Sequence, residues 1–334
     1  MADTDRTAPP TTAGTSAASA ASPWAREPAA GRVLLDRRFA WQGREVAWAA
    51  FGSGPPLVFC HGTPWSSWLW EPYARALAAE FTVHLWDMPG YGASSKDPDH
   101  AVDLGVQGEV LAALLEHWRP SWAASEGASE DRPEEGPGAG SGGGVAPHVV
   151  AHDYGGAVSL RAALLHGARF ASLCLVDVVA LRPWGSPYFS LVREHADVFT
   201  RTPATVHRGA LEAYVRTAAH RPLSDADLDA LVTPWTGPEG QAAFYRQIAQ
   251  ADERYTAELE PLLGALDVPT RVLWGAEDTW IPADRAQRLA DALPRADARL
   301  VPGAGHLVQL DAPVALAVEL QRWLSARAGD AATE

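Results

Sequence analysis

The sequence predicts an α/β protein: a mostly parallel eight-stranded sheet with helices on both faces and a helical cap inserted after the sixth strand. Three observations carry this. Six short apolar runs each end in Gly, Pro or a polar turn, as strands buried on both faces do. Helical segments separate them, and such alternation builds a parallel sheet covered on both sides. One long, aromatic-dense stretch then breaks the rhythm between two of the strands.

In chain order, residues 1–30 are rich in Ala, Thr, Ser and Pro without periodicity, and are expected to be a disordered tail with little to bury. "RVLLDRRFAW" and "REVAWAAFG" read as an opening antiparallel pair. "PPLVFCHG", "FTVHLWDMPG", "PHVVAHD", "ASLCLVDV", "TRVLWGAED" and "ARLVPGAGH" supply the six parallel strands. Between them, "WEPYARALAAE", "LGVQGEVLAALLEHW", "GGAVSLRAALLHGA", "PADRAQRLADAL" and "PVALAVELQRWLSA" have helical spacing. The core is thus expected over 31–181 and 267–328. Two segments interrupt it: a flexible acidic, Gly-rich loop within 123–146, and a helical cap domain over 182–266.

Composition narrows the function. A chain of 334 residues with 47% hydrophobic content can bury a large core, and a formal net charge of −14 would be repelled by nucleic acid or an anionic membrane surface. Neither is expected as a partner. The first residues lack the basic and apolar regions of a signal peptide, and no run is long enough to span a bilayer. Cys60 and Cys174 sit in apolar strand runs, where a thiol is a small hydrophobe in a reducing setting. A soluble cytoplasmic protein is expected, with the oligomeric state left open.

The chemistry gathers in loops after strands. In "VVAHDYGGAVSL" a strand meets a tight turn and a helix, with Asp153 at the apex and Ala151, Gly155 and Gly156 around it. Small neighbours let an apex side chain project free above the sheet. Helix capping is the plainer role for such an Asp, but the other loops argue for more. "HGTP" (61–64) can turn the Thr63 N–H towards the apex beside the N–H of Tyr154, making an anion-stabilising pair. "VLWGAEDTWIP" places Asp278 beyond a strand end, and "VPGAGHLVQLDAP" places His306 after the last strand. Asp177, ending "SLCLVD", is a rival acid.

From about Arg32 to Leu324 the chain resembles the α/β-hydrolase superfamily. "HGTP", "DMPGYGASS", "HDYGG" and "GHLVQLDAP" together resemble its aspartate-nucleophile branch, the epoxide hydrolases and haloalkane dehalogenases. The resemblance implies the α/β-hydrolase fold, no metal and no cofactor. It also implies that Asp153 displaces a leaving group at saturated carbon to form an alkyl ester, which water activated by His306 then hydrolyses, with Asp278 orienting the imidazole. Thr63 and Tyr154 would hold the oxyanion.

The leaving group separates the two halves of the branch. Haloalkane dehalogenases usually carry Trp after the nucleophile and often Asn after the HG; here Tyr154 and Thr63 stand there, with Trp65, Trp68, Trp184, Trp235 and Trp280 as other indoles. Fluoroacetate-type dehalogenases resemble "HDRG", and no Arg follows Asp153. An epoxide oxygen needs a proton donor, which epoxide hydrolases take from cap tyrosines. "TGPEGQAAFYRQIAQ" is similar to that family's "GP…WYRN" stretch and implies Tyr245 as donor, with Tyr188 as its partner and Tyr214 or Tyr255 as substitutes. The expected activity is hydration of an epoxide on a small, largely apolar organic substrate. The alternatives are haloalkane dehalogenation, a cofactor-free cyclase, lyase or isomerase using Asp153 as base, and a non-catalytic binding module.

Overall fold

The structure, a computed structural model, describes residues 32–126 and 145–331. The expected N-terminal tail and most of the acidic loop lie outside the described residues. Among those described, the strands are β1 (Arg37–Trp41), β2 (Arg44–Gly52), β3 (Pro56–Cys60), β4 (Thr82–Trp86), β5 (His148–His152), β6 (Ser172–Val176), β7 (Thr270–Gly275) and β8 (Ala296–Val301). They form one eight-stranded sheet in the order β1-β2-β4-β3-β5-β6-β7-β8. β2 pairs antiparallel with β1 and β4, and every other pairing is parallel.

The expected antiparallel start and parallel remainder are therefore present. β3, β5, β6 and β7 are buried along their whole length, which explains their unbroken apolar runs. β8 departs from that expectation: its residues alternate in exposure because it is an edge strand with β7 as its one neighbour.

The helices are α1 (Glu71–Leu77), α2 (Leu104–Glu126), α3 (Tyr154–His166), α4 (Pro187–Glu194), α5 (Ala196–Thr200), α6 (Ala204–Arg216), α7 (Asp225–Val232), α8 (Gly237–Ala249), α9 (Arg254–Ala257), α10 (Asp284–Ala292), α11 (Val308–Asp311) and α12 (Pro313–Ala331). Alternate strand residues feed opposite layers. Leu57 and Phe59 pack with Trp70, Tyr73 and Leu77 around α1 and with Leu316, Leu320 and Trp323 of α12. Val58 and Cys60 pack on the other face with Leu111, Leu114 and Trp118 of α2 and Ala157 and Leu160 of α3.

Helices α4 to α9 all lie between β6 and β7. Their apolar residues, including Leu211, Val215, Leu231, Phe244 and Ile248, join the cluster that covers the α2–α3 face. Thr63 follows β3, Asp153 follows β5, Asp177 follows β6, Asp278 follows β7 and His306 follows β8. All five thus leave the carboxyl ends of parallel strands, where open α/β sheets hold their ligands.

Candidate active site

The turn between β5 and α3 is a strained elbow. Asp153 has φ 51° and ψ −121°, a conformation that costs an L-residue energy and persists only where its surroundings enforce it. Those surroundings are tight. A Cβ on Gly155 would lie 2.6 Å from the Cys60 carbonyl oxygen, and one on Gly156 would lie 2.3 Å from Val178 Cβ. The Asp153 carbonyl accepts from Gly156 N at 3.0 Å and Val179 N at 3.1 Å, pinning the apex from both sides. No side-chain capping bond forms, so the carboxylate is left for other work.

Asp153 is 3% exposed. Its Oδ1 accepts from the Thr63 amide at 2.6 Å, as the "HGTP" loop was expected to allow. His61 shapes that loop rather than reacting: Nδ1 donates to Gly62 O at 2.9 Å, and Nε2 accepts from Met88 N at 3.0 Å. Burial lowers the His61 pKa, in keeping with this neutral tautomer. Tyr154, the second expected amide donor, is the first residue of α3, whose N–H has no partner inside the helix.

His306 reaches the apex from the loop after β8. Nε2 lies 3.3 Å from Asp153 Oδ2, and Nδ1 lies 3.0 Å from Asp278 Oδ2. Asp278 Oδ1 accepts from the amides of Trp280 at 2.7 Å and Ile281 at 3.0 Å, so the whole carboxylate is fixed. The loop that carries the imidazole is held in turn. Asp311 accepts from Gly305 N, His220 N and Arg221 N, each at 2.8 Å, which explains the acid in "GHLVQLDAP". His152 is kept neutral by burial, with its pKa at about 3, and donates through Nε2 to the His306 carbonyl at 2.9 Å.

Burial alone would lower the His306 pKa. The charge of Asp278 and the contacts with Asp153 outweigh it and hold the imidazole well above its ordinary value. Burial likewise pushes Asp278 up, but the charge and hydrogen bond of His306, with the two amides, bring it below the usual carboxylate range. Both acids expected after β6 and β7 are present: Asp177, Asp278 and His306 each bring one polar atom within 4.8 Å of the others. Such a trio is a possible metal ligand set, but His306 Nδ1 is engaged with Asp278, an arrangement of hydrogen-bonded acid and base.

The tyrosines of the α4–α9 segment fall in a series. Tyr214 is raised in pKa by burial and then by the charge of Asp153, so its phenol lies within the field of the apex carboxylate. The Tyr188 ring packs on Tyr214 at 5.1 Å, and its hydroxyl is in hydrogen-bond contact with Tyr245. Tyr245 stands furthest along, its hydroxyl 2.8 Å from His207 Nδ1. His207 Nε2 faces the Trp235 carbonyl at 2.9 Å and so carries the proton, which leaves Nδ1 to accept from Tyr245.

The structure thus gives the Tyr245 proton to His207 and brings Tyr214, expected as a substitute, into the field of Asp153. Tyr255 lies elsewhere, its hydroxyl accepting from Arg254 Nη2 at 2.7 Å.

Of the five indoles, Trp184, Trp235 and Trp280 donate to Thr256 Oγ1, Pro64 O and Thr217 Oγ1. Trp68 is half-buried against the core. Trp65 Nε1 is buried with no hydrogen-bond partner. The Trp65 ring stacks on Trp280 at 5.7 Å, and Trp280 stacks on His306 at 5.0 Å.

Sequence reading missed three features. Gln247 Oε1 accepts from Thr63 Oγ1 at 2.7 Å and from Tyr91 Oη at 3.2 Å, tying α8 to the loop after β3. Tyr154 Oη is buried without a partner; burial pushes its pKa well up, and the neighbouring Tyr91 and the charge of Asp153 push it further. Tyr91 also feels the Asp153 charge. A Tyr directly after the apex was the one signal that pointed to such a group.

A family model described as "Alpha/beta hydrolase family" matches residues 57–320. The chain is 30% identical over 278 residues to a dihydrolipoyllysine-residue acetyltransferase component of an acetoin cleaving system from Pseudomonas putida, with 81% of this chain aligned to 64% of that protein's length. It is 27% identical to a pimeloyl-[acyl-carrier protein] methyl ester esterase from Vibrio cholerae, over 78% of this chain and 90% of that one. A fluoroacetate dehalogenase from a Burkholderia species is 33% identical over 137 residues, 38% of this chain and 36% of that one. Among solved structures, an alpha/beta hydrolase fold protein from Burkholderia ambifaria superposes with a TM-score of 0.77 and 40% identity, covering 87% of this chain and 98% of that one.

Proposed function

This chain belongs to the alpha/beta hydrolase family, and from that premise we propose that it adds water to an epoxide through a covalent Asp153 alkyl ester. The observation that carries the reading is the division of labour between the two Asp153 oxygens. Oδ1 sits on the Thr63 amide, where a carbonyl oxygen can gain negative charge, and Oδ2 lies beside His306 Nε2. A serine would need its proton removed before attack; a carboxylate is already a nucleophile towards saturated carbon.

In the first step an Oδ2 lone pair forms the bond to carbon while the epoxide C–O bond breaks. The departing alkoxide takes a proton from a phenol; of the three within reach of the Asp153 charge, Tyr91 gives its hydrogen to Gln247, which leaves Tyr214 and Tyr154 as the candidates. In the second step His306 Nε2 removes a proton from water as its oxygen attacks Asp153 Cγ. The tetrahedral oxyanion forms on Oδ1 at the Thr63 amide; on collapse the departing alkoxide takes the proton from His306 Nε2 to give the diol, and the remaining carboxyl proton returns to the phenolate left by the first step, which restores carboxylate and phenol. Asp278 keeps Nδ1 protonated and so leaves Nε2 free to accept.

Dehalogenation is the second reading. It is favoured by the unpartnered donors Tyr154 Oη and Trp65 Nε1, which suit a departing halide, and by similarity to a dehalogenase. One experiment tests the shared intermediate and separates the leaving groups. The His306→Gln protein is exposed to a panel of epoxides and of chlorinated and brominated alkanes, and its intact mass is read. Gain of a whole epoxide supports the first reading. Gain of an alkyl group without its halogen supports the second. Normal turnover with no mass gain removes both and leaves Asp153 as a base or a binding group.

A further inference from the structure

Asp177 has no part in the steps above, yet it is buried against the same histidine. It ends β6 with φ 45°, left-handed backbone that an Asp occupies at a cost, and it is wholly buried. Oδ1 accepts from the Gly275 amide at 2.8 Å, while Oδ2 has no hydrogen-bond partner. Asp177 and Asp278, buried with an oxygen of each within 4.8 Å of the other, cannot both hold a charge without strong repulsion, so the pair shares a proton.

Which acid holds it follows from the donors each one has. Asp278 faces three: His306 Nδ1–H and the amides of Trp280 and Ile281. Asp177 faces one amide. Charge therefore settles on Asp278 and the proton on Asp177. Burial first, and then the charge of Asp278, push the Asp177 pKa well above the usual range, against the weaker pull of His306 and the Gly275 amide. Asp278, from the loop after β7, and His306, from the loop after β8, are the titratable groups that act on it.

We propose that Asp177 is a positioning residue, a neutral carboxylic acid that holds its proton beside Asp278 and that ionises to partner His306 when Asp278 is lost. The first half depends on no substrate. The second half rests on the ester mechanism above, and the experiment keeps the two apart.

Difference infrared spectroscopy between the wild-type protein and Asp177→Asn at neutral pH should show the carbonyl stretch of a protonated carboxylic acid that the variant lacks. In the wild type alone the same band should fade as the pH is raised, a reading that stands even if Asp177→Asn does not fold. A spectrum with no such band overturns the proposal. For the second half, Asp278→Asn should still hydrolyse the ester, roughly ten- to a thousandfold more slowly, at a rate that rises with pH as Asp177 ionises. Asp278→Asn combined with Asp177→Asn should lose at least a further tenfold. Equal rates in the single and double variants would overturn the spare-acid role. Absence of any adduct in His306→Gln would defeat the ester mechanism and leave the infrared result untouched.

Discussion

The proton on His306 answers to three influences: burial, which drives it off, and the carboxylates of Asp278 and Asp153, which hold it on. In the proposed mechanism, alkylation of Asp153 would remove one of these, because an ester carries no charge. The imidazole is therefore a weaker base in the ester than in the resting protein, and is neutral at a lower pH, when it must accept a proton from water. In single turnovers, ester hydrolysis should rise with pH around a midpoint below that of the His306 imidazole titrated by NMR in the substrate-free protein. Coincident midpoints would mean that Asp153 does not carry the ester.

The phenols make a second test at this scale. Tyr214→Phe should slow epoxide alkylation by roughly a hundredfold, the usual loss of general-acid help. Tyr245→Phe should slow it much less and instead lower stability by about 1–3 kcal/mol, because His207 Nδ1 is left buried without its donor. The reverse order of rates would return the donor role to Tyr245.

Helix α8 shows why sequence similarity led to Tyr245. Residues two apart on a helix point in nearly opposite directions. Gln247 faces Thr63 and Tyr91, so Tyr245 is turned away to His207. The "GP…WYRN"-like stretch was readable, but its rotation about the helix axis was not, since contacts 184 and 156 residues away in sequence set it. The elbow was legible for the opposite reason: its small residues, apex and following helix are local. Gly62 belongs to the same steric device, a Cβ there lying 2.3 Å from Asp153 Cβ and from Oδ1. Gly62→Ala should leave the far-ultraviolet dichroism intact while slowing adduct formation more than tenfold, the cost of an ångström-scale misplacement of Asp153. An undiminished rate would show that the elbow tolerates movement.

Across the whole molecule, five loops from separate strands converge on one end of the sheet, and the side chains they bring there are buried. No described helix is long and apolar enough to cross a membrane. The presence and burial of the inner strands were legible from the apolar runs, because a parallel strand buried on both faces must be apolar at every position. The pairing of Asp177 with Asp278 was not, because their meeting depends on β6 and β7 being neighbours.

Convergence has a stability signature. His306 is more basic folded than unfolded, so its contribution is full below pH 6.5 and is lost as the pH rises through the higher folded value. Urea midpoints should fall over that window, and less so in His306→Gln; an equal fall in both would place the proton elsewhere.

In the ester mechanism, oxygen enters the product by way of Asp153. A single turnover of protein in excess over an accepted epoxide, run in ¹⁸O-labelled water and followed by proteolysis and mass spectrometry, measures this directly. The ester mechanism predicts label in the peptide bearing Asp153 and unlabelled oxygen delivered to the first diol released. Label in the diol with an unlabelled Asp153 would mean that water attacks the substrate itself, and would contradict the covalent mechanism.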